Sequence, residues 1–436
     1  MKIALINHGC PKNLVDSELM LGFLSQKGHD ITLNPEDANI VIVNTCSFIH
    51  DAEVESVDSI LEMAGEGKKV IVTGCLAQKY KDELKKAMPE ISGIIGISEL
   101  DKISEIVDEI QNNHTEKYIS KVSEKPDYIY PESVERQQIT VGAGSYIKIA
   151  DGCNYHCGYC IIPQLRGAYH SRPIEKIVEE ARSLADRGVS EIILIAQDTT
   201  GYGQDLYGRL MLPELLKKLN EIENISWIRF MYAYPSQVTD ELLEAMASLD
   251  KVVKYLDLPL QHADLEILRS MRRPDFDYRD LIKKIRSKVP DIAIRTAFIV
   301  GYPGETDEQF MNLYNFVKEV KFDRMGVFEY SREKNTVSYD MSSQIPEEVK
   351  KERYNKLMSL QMQISTEINK AYIGKTLDCI VEGFTDDGVI ILRSQHDAPE
   401  IDGLVYAKCE RTVVPGDIEK VKIESSDEYD LFGTIA

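Results

Sequence analysis

The stretch of sequence that decides the fold is Cys153-Asn154-Tyr155-His156-Cys157-Gly158-Tyr159-Cys160. Its cysteines have the spacing C-x3-C-x2-C, and the loop directly follows an apolar run, residues 145–150, that is typical of a β-strand. Three thiolates so close together can ligate one inorganic cluster, because soft sulfur ligands suit iron–sulfur sites. Three protein ligands for four irons leave one iron open to another molecule. The motif therefore favours a [4Fe–4S] cluster.

A structural zinc site and unligated loop cysteines are the alternatives for this motif. Zinc normally takes four protein ligands in a structural site, and His156 lies within the same loop. The chain has eight cysteines in all. In a chain without an export signal, such cysteines indicate metal binding or catalysis more than a disulfide framework.

The region that follows the motif alternates predicted strands and helices. Helical patterns separate six candidate strands, at residues 145–150, 191–196, 227–232, 254–260, 292–300 and 324–330. Six βα units predict a partial barrel, whose active site lies at the carboxyl ends of its strands. An open doubly wound sheet is the competing architecture.

A second set of cysteines lies in the N-terminal region. Cys10, Cys46 and Cys75 each come shortly after a predicted strand of an open parallel α/β domain. Because the carboxyl ends of parallel strands share one edge of a sheet, these three thiols are expected to converge. The convergence predicts a second cluster. The alternative is three small residues that fill tight turns or the apolar core.

Periodicity and composition divide this α/β chain into three domains and a linker. Residues 1–112 form the N-terminal domain, and the polar, proline-containing segment 113–138 is the linker. Residues 139–370 form the partial (βα)6 barrel. Residues 371–436 contain five short candidate strands, which predict a small antiparallel β-barrel. Cys379 and Cys409 fall within these strands, where apolar filling is their expected role.

The charge of the chain restricts its partners. Lys and Arg total 51 against 72 Asp and Glu, a formal net charge of −21. The last segment alone, 371–436, carries six basic and fourteen acidic residues. Such a chain is repelled by phosphate backbones and attracts a basic partner, although acidic surfaces also serve solubility. No apolar run approaches the length of a membrane span, and the N-terminus resembles a strand more than a secretion signal, so a cytoplasmic location is expected.

The cysteine motif and the predicted barrel together resemble the radical S-adenosylmethionine (SAM) superfamily. This resemblance implies that Cys153, Cys157 and Cys160 hold a [4Fe–4S] cluster whose open iron binds SAM. The reduced cluster would then cleave SAM to a 5′-deoxyadenosyl radical. The aromatic residue of the superfamily motif corresponds to Tyr159, which would lie near the adenine of SAM.

Over essentially its whole length the chain resembles the methylthiotransferase family within that superfamily. The family combines a three-cysteine N-terminal domain, a radical SAM core and a small terminal barrel, the TRAM domain. The resemblance implies that Cys10, Cys46 and Cys75 carry an auxiliary [4Fe–4S] cluster. One SAM would methylate sulfur and another would generate the radical, so that a C–H bond becomes C–S–CH3.

The opening sequence resembles the RimO type of this family. The resemblance lies in Gly9-Cys10-Pro11-Lys12-Asn13-Leu14-Val15-Asp16-Ser17-Glu18. It implies a transferase that modifies the β-carbon of an aspartate in the basic small-subunit ribosomal protein S-twelve, with an electron donor as a further partner. A tRNA adenosine methylthiotransferase is the alternative enzyme. A two-cluster electron carrier and an RNA-binding protein are alternatives of other classes, and the net charge disfavours direct nucleic-acid binding.

Two further positions are candidate contacts for SAM. Gln197 ends the second predicted barrel strand, at the face where active-site residues lie. Gly301 belongs to the glycine-containing segment 299–306, which follows the fifth strand and opens a helix. Glycine there lets the backbone approach the adenosine. An ordinary strand-to-helix turn capped by Thr306 is the alternative.

Overall fold

The computed structural model describes residues 2–47, 50–112, 118–139, 142–409 and 411–435. The chain forms two units. The first contains Met1–Val141, Ala150–Tyr155 and Ile161–His170, and the second contains Gly142–Ile149, His156–Cys160 and Ser171–Ala436. The cysteine loop thus contributes Cys153 to the first unit and Cys157 and Cys160 to the second.

The first unit is built on a parallel sheet. Its strands are β1 (Lys2–Asn7), β2 (Asp30–Ile31), β3 (Ile40–Thr45), β4 (Lys69–Gly74), β5 (Gly93–Ile95) and β6 (Ile119–Lys121). Their order across the sheet is β2-β1-β3-β4-β5-β6, and every pairing is parallel. The connecting helices are α1 (Pro11–Gln26), α2 (His50–Gly65), α3 (Cys75–Ala87) and α4 (Ile103–Asn112). The predicted open parallel α/β architecture is confirmed.

The central strands of this sheet are buried and mostly apolar, as is typical of strands covered on both faces. Every residue of β3 is buried, and β4 is buried from Val70 onward. The sheet also requires a glycine where β4 ends. Gly74 has a φ of 88°, and a Cβ there would lie 2.4 Å from the carbonyl oxygen of Thr45. The chain therefore turns tightly from β4 into α3.

The segment predicted as a linker, 113–138, contributes to the first unit. Its residues 119–121 form β6, which pairs with β5. The Tyr128 hydroxyl donates to Asp16 Oδ1 at 3.0 Å, and Arg136 Nη1 donates to Glu18 Oε2 at 2.7 Å. A strand of three residues is too short to show periodicity, and these partners lie more than 100 residues away in sequence. Local pattern could not reveal them.

The second unit contains the six parallel strands that the sequence predicts for the barrel. The strands of this region are β7 (Gly144–Lys148), β8 (Ala150–Asp151), β9 (His170–Ser171), β10 (Glu191–Ile195), β11 (Trp227–Phe230), β12 (Tyr255–Asp257), β13 (Ala293–Val300) and β14 (Arg324–Glu329). Of these strands, β8 belongs to the first unit, as does His170 of β9. The other six pair in parallel as β11-β10-β7 and β12-β13-β14, and a bridge from Ile228 to Val252 lies where the two sheets approach. The partial (βα)6 barrel is confirmed.

Helices connect these strands. They are α5 (Ile162–Arg166), α6 (Ile174–Asp186), α7 (Gln204–Tyr207), α8 (Leu212–Asn220), α9 (Asp240–Ser248), α10 (Leu265–Ser270), α11 (Tyr278–Lys288), α12 (Asp307–Val320) and α13 (Glu347–Lys370). Among the described residues, no helix combines the length and apolar character needed to cross a membrane.

The C-terminal strands close into a small barrel within the second unit. They are β15 (Thr376–Phe384), β16 (Ile390–Ser394), β17 (Val405–Lys408), β18 (Ile418–Ser426) and β19 (Leu431–Ile435). The closed order is β15-β16-β17-β19-β18, which confirms the predicted barrel. One pairing differs from the antiparallel prediction: β17 and β19 run parallel. The two strands are not consecutive in the chain, so the antiparallel direction expected of consecutive strands does not apply to them. They become neighbours when the barrel closes, and there they run parallel.

Buried charges join this barrel to the core of βα units. Glu191, the first residue of β10, accepts a hydrogen bond from Arg229 Nε at 2.8 Å and also pairs with Arg393 of β16. All three side chains are at most 1% exposed. Burial would raise the pKa of Glu191, but Arg393 and Arg229 outweigh it, and the pKa lies below its ordinary value. The carboxylate is therefore charged when the protein is folded.

We predict that Glu191→Gln destabilises the second unit by about 3–5 kcal/mol, because it removes the anion that pairs with buried Arg229 and one of the two carboxylates that pair with Arg393. Urea unfolding at neutral pH measures this change. Glu179→Gln is the matched control, since Glu179 forms only an exposed pair with Lys176. The difference in the free energy of unfolding between the wild type and Glu191→Gln should decrease as the pH falls through the pKa of folded Glu191. Equal stability of the two variants would contradict the prediction.

Candidate cluster-binding sites

Cys10, Cys46 and Cys75 lie at one edge of the first sheet. Cys10 caps the N-terminus of α1 after β1, Cys46 follows β3, and Cys75 is the first residue of α3 after β4. The three strands are neighbours in the sheet. The structure thus brings together the cysteines that the sequence places after successive strands. Their role as cluster ligands remains a prediction.

The three thiols lie within electrostatic reach of one another. Burial raises the pKa of the Cys75 thiol to about 11; Arg166 opposes this shift, whereas Cys10 and Cys46 add to it. At Cys10 burial also raises the pKa, but Lys12 and Arg166 outweigh it, and the pKa lies below its ordinary value. Thiolates this close together repel one another, and a bound metal centre offsets that repulsion because it binds thiolates.

A buried amide network fixes the position of Cys10 relative to β3. Asn13 Nδ2 donates to Asn44 Oδ1 at 3.2 Å and to the carbonyl oxygen of Thr45 at 3.0 Å. In return, Asn44 Nδ2 donates to the carbonyl oxygen of Asn13 at 2.8 Å. Cys10 Sγ lies 3.9 Å from Asn13 Oδ1. The first turn of α1 is therefore attached to the strand that leads to Cys46.

Arg166 places a buried cation beside these thiols. Its Nη1 donates to Asp151 Oδ2 at 2.7 Å, and its Nη2 donates to Asn13 Oδ1 at 2.6 Å and to Asp16 Oδ2 at 3.2 Å. The residue is 1% exposed. Sequence reasoning did not assign a role to Arg166 or Asn13. The available signal was a polar residue in the first turn after Cys10 and an arginine six positions after Cys160.

The surroundings of the two sets of cysteines bear on the choice between a cluster and a zinc ion, which stays a prediction. Among the described residues, no group of three or more His, Cys, Asp or Glu side chains is placed to hold one metal ion. In a [4Fe–4S] cluster each thiolate binds a different iron, so its ligands lie further apart than those of zinc. His156, the candidate fourth zinc ligand, is exposed. A buried guanidinium also suits an anionic set of thiolates.

The part of the cysteine loop in the second unit is held by its backbone. The amide of Gly158 donates to the carbonyl oxygen of Met271 at 2.9 Å, and its carbonyl oxygen accepts from the amide of Ser338 at 2.8 Å. A Cβ at Gly158 would lie 2.7 Å from the Tyr302 hydroxyl oxygen. The amide of Cys160 donates to the carbonyl oxygen of Cys157 at 3.1 Å. Cys157 and Cys160 thus flank a fixed turn.

Tyr159 and Cys153 are the other members of the loop. Tyr159 packs against an apolar cluster that contains Met271 and Tyr302. Burial raises the pKa of Tyr159 well above its ordinary value, so the phenol is neutral. In the first unit, the amide of Cys153 donates to the carbonyl oxygen of Gly167 at 3.2 Å. The contact of Tyr159 with SAM and the ligand role of all three loop cysteines remain predictions.

The structure places Gln197 and Gly301 at the carboxyl ends of two barrel strands. Gln197 lies two residues beyond β10, and Gly301 directly follows β13 with a φ of 73°. The amide of Gly301 donates to Glu305 Oε2. Thr306 forms a capping box with Gln309 at the start of α12. The strand-to-helix turn considered from sequence is therefore present, and the contacts of Gln197 and Gly301 with SAM remain predictions.

Comparison with known families assigns all three regions. The Radical SAM superfamily model matches residues 147–317, the model of the uncharacterized protein family UPF0004 matches residues 2–96, and the TRAM domain model matches residues 373–436. The first match covers Cys153, Cys157 and Cys160, and the second covers Cys10, Cys46 and Cys75.

Full-length relatives decide the family. The ribosomal protein uS12 methylthiotransferase RimO of Caldicellulosiruptor saccharolyticus is 44% identical and covers 100% of both chains. The protein of the same name from Desulforamulus reducens is 48% identical over 100% of this chain and 99% of its own. The chain belongs to the RimO family. It is therefore a radical SAM transferase that uses SAM and [4Fe–4S] clusters, as the cysteine motifs predict.

Solved structures support the fold of this RimO family member. The structure of the radical SAM methyltransferase TsrM from Kitasatospora setae, with cobalamin and a [4Fe–4S] cluster bound, is similar with a TM-score of 0.56. The two chains are 13% identical, and the match covers 86% of this chain and 80% of TsrM. At this identity the similarity shows the fold alone.

We predict that Arg166→Gln lowers the iron content of the reconstituted protein from about eight toward about four atoms per chain, because the thiolates at Cys10, Cys46 and Cys75 lose their buried cation. Iron and sulfide analysis measures the change. Lys121→Gln is the control in the same unit, since Lys121 forms only surface pairs with Glu105 and Glu109. Full iron retention by Arg166→Gln would contradict the prediction.

Proposed function

We propose that this chain replaces a hydrogen on the β-carbon of an aspartate in ribosomal protein uS12 with a methylthio group. In this proposal Cys153, Cys157 and Cys160 ligate the radical SAM cluster, and Cys10, Cys46 and Cys75 ligate the auxiliary cluster. The substrate is a protein of the ribosome, which agrees with the cytoplasmic location expected from the sequence. An electron donor would complete the set of partners.

The observation that carries this proposal is the full-length identity of 44–48% to proteins named for this reaction. The choice of a protein over tRNA as substrate rests on the same identity, since these relatives are named for ribosomal protein uS12. The edge of the first sheet supports it independently, because Cys10, Cys46 and Cys75 lie at the ends of adjacent strands.

The residues of the chain have separate tasks in this reaction. When bound, the clusters supply the electron that cleaves SAM and a place where sulfur is held before transfer. Gly158 fixes the loop of Cys157 and Cys160 through both of its backbone groups. Arg166 and Asn13 fix the surroundings of Cys10. Tyr159 packs against an apolar cluster, and an apolar surface beside a radical limits its side reactions.

The TRAM barrel is the proposed docking surface for basic uS12. Part of its acidity is used internally, since Asp397 pairs with Arg324 and Asp402 with Arg295 of the core. Other acidic residues of the barrel are exposed, among them Asp386 and Glu424. An exposed acidic surface favours a basic protein over the phosphate backbone of tRNA.

The direct test incubates the reconstituted enzyme with SAM, a reductant and either purified uS12 or tRNA. Mass spectrometry should show a gain of about 46 Da on one aspartate of uS12, the mass of SCH3 less that of H. A gain found only on tRNA would reverse the assignment of the substrate. No gain on either substrate, with SAM still cleaved, would contradict the proposed sulfur insertion.

We predict different losses for the two sets of cysteines. Cys157→Ala should abolish the formation of 5′-deoxyadenosine, because the cluster that binds SAM loses a ligand. Cys46→Ala should retain SAM cleavage but lose methylthiolation of uS12. Chromatography of deoxyadenosine and mass spectrometry of uS12 measure the two activities, and Cys409→Ala is the control outside both sets. Equal loss of cleavage in the Cys157 and Cys46 variants would contradict this division.

A further inference from the structure

Arg273 lies at the carboxyl ends of the barrel strands. Its guanidinium Nη2 donates to the carbonyl oxygen of Pro259 at 2.6 Å, two residues beyond β12. The guanidinium carbon lies 4.3 Å from the ring centroid of Tyr234, in the segment that follows β11. In a barrel of βα units, active-site groups occupy this face. Arg273 therefore belongs to the mouth of the core.

The C-terminus of α10 aims Arg273 at this face. The amide of Arg273 donates to the carbonyl oxygen of Leu268 at 2.8 Å, and the amide of Arg272 donates to the carbonyl oxygen of Arg269 at 2.9 Å. This pair of bonds is a Schellman motif, in which Arg272 has a φ of 55°. A left-handed conformation in a non-glycine residue costs free energy. Arg272 therefore adopts a turn conformation that glycine would adopt at a lower cost in free energy.

The cysteine loop is close to this guanidinium. The amide of Gly158, within the loop that is proposed to hold the SAM-binding cluster, donates to the carbonyl oxygen of Met271 at 2.9 Å, two residues before Arg273. Tyr159 of the same loop packs against the apolar cluster that contains Met271. Arg273 therefore lies beside the loop that is proposed to hold the SAM-binding cluster.

Arg273 is half-buried, and its partners differ from those of the fully buried arginines. Arg229 and Arg393 pair with Glu191, Arg353 pairs with Glu305, and Arg166 pairs with Asp16 and Asp151. Arg273 forms no ion pair with a carboxylate within the described residues, and its Nε is buried there without a hydrogen-bond partner. A buried cationic donor without an acceptor is costly. The cost is offset when a bound anion supplies that acceptor.

The geometry points to Arg273 as the group that binds the side-chain carboxylate of the aspartate to be modified. This inference rests on the proposed function and names the residue that determines its substrate class. A guanidinium matches a carboxylate in charge and shape, and it can donate to both oxygens. Because the carboxylate is bonded directly to the β-carbon, holding it also positions the β-hydrogen for removal. An adenosine base offers no such anion.

The test compares two peptides of uS12, one with the modified aspartate located by mass spectrometry and one with asparagine in its place. We expect Arg273→Gln to weaken binding of the aspartate peptide to the reconstituted enzyme by about tenfold or more, and to change binding of the asparagine peptide by less than about twofold. Fluorescence anisotropy measures both. Arg273→Lys should recover part of the preference for the aspartate peptide over the asparagine peptide. Arg269→Gln is the control, because it breaks an exposed pair with Asp275, and it should leave that preference unchanged.

Other readouts separate failure of this inference from failure of the proposed function. If the wild type modifies uS12 but Arg273→Gln keeps the wild-type preference for aspartate over asparagine, the inference is overturned and the function stands. A loss of SAM affinity with an unchanged preference would assign Arg273 to the carboxylate of SAM and also overturn it. Iron content and the Arg273→Lys variant show that a loss does not come from misfolding. Absence of wild-type modification of uS12 would overturn the function itself.

Discussion

Parallel strand pairing is the constraint on which both sites depend. A parallel sheet gathers all its carboxyl ends at one edge, so residues far apart in sequence become neighbours without any contact specific to them. In the first unit this edge collects Cys10, Cys46 and Cys75. In the second unit the same geometry collects Cys157 and Cys160 of the loop, Gly301 and Arg273. The chemistry of the chain is thus carried by loops, and the sheets set where those loops meet.

Buried ion pairs then fix what the sheets bring together. Glu191 joins the core to the terminal barrel through two arginines, and Arg166 joins Asp16 and Asp151 beside the first set of thiols. Such pairs contribute little net free energy compared with apolar packing, yet removing one partner is strongly destabilising. They therefore act mainly as positional restraints. Arg273 lacks such a partner among the described residues, which marks it as a ligand-binding group.

The sequence predicted the features that have a local signature. Apolar runs located the three strands that lead to Cys10, Cys46 and Cys75 and the six barrel strands, and cysteines after successive strands located the edge where they meet. What it missed depends on distant contacts. The short strands β2, β5 and β6 carry no usable period, and the direction of β19 beside β17 follows from closure of the barrel. Arg166 is buried only because Asp16 and Asp151 reach it from other parts of the chain.

Mössbauer spectroscopy of protein reconstituted with ⁵⁷Fe tests the central claim most directly. Two triple variants are compared with the wild type, one lacking Cys10, Cys46 and Cys75 and the other lacking the three loop cysteines. Each variant should keep about half the iron, as the quadrupole doublet of a single [4Fe–4S] cluster. A triple variant that kept both clusters, or lost both, would contradict the assignment of one cluster to each set.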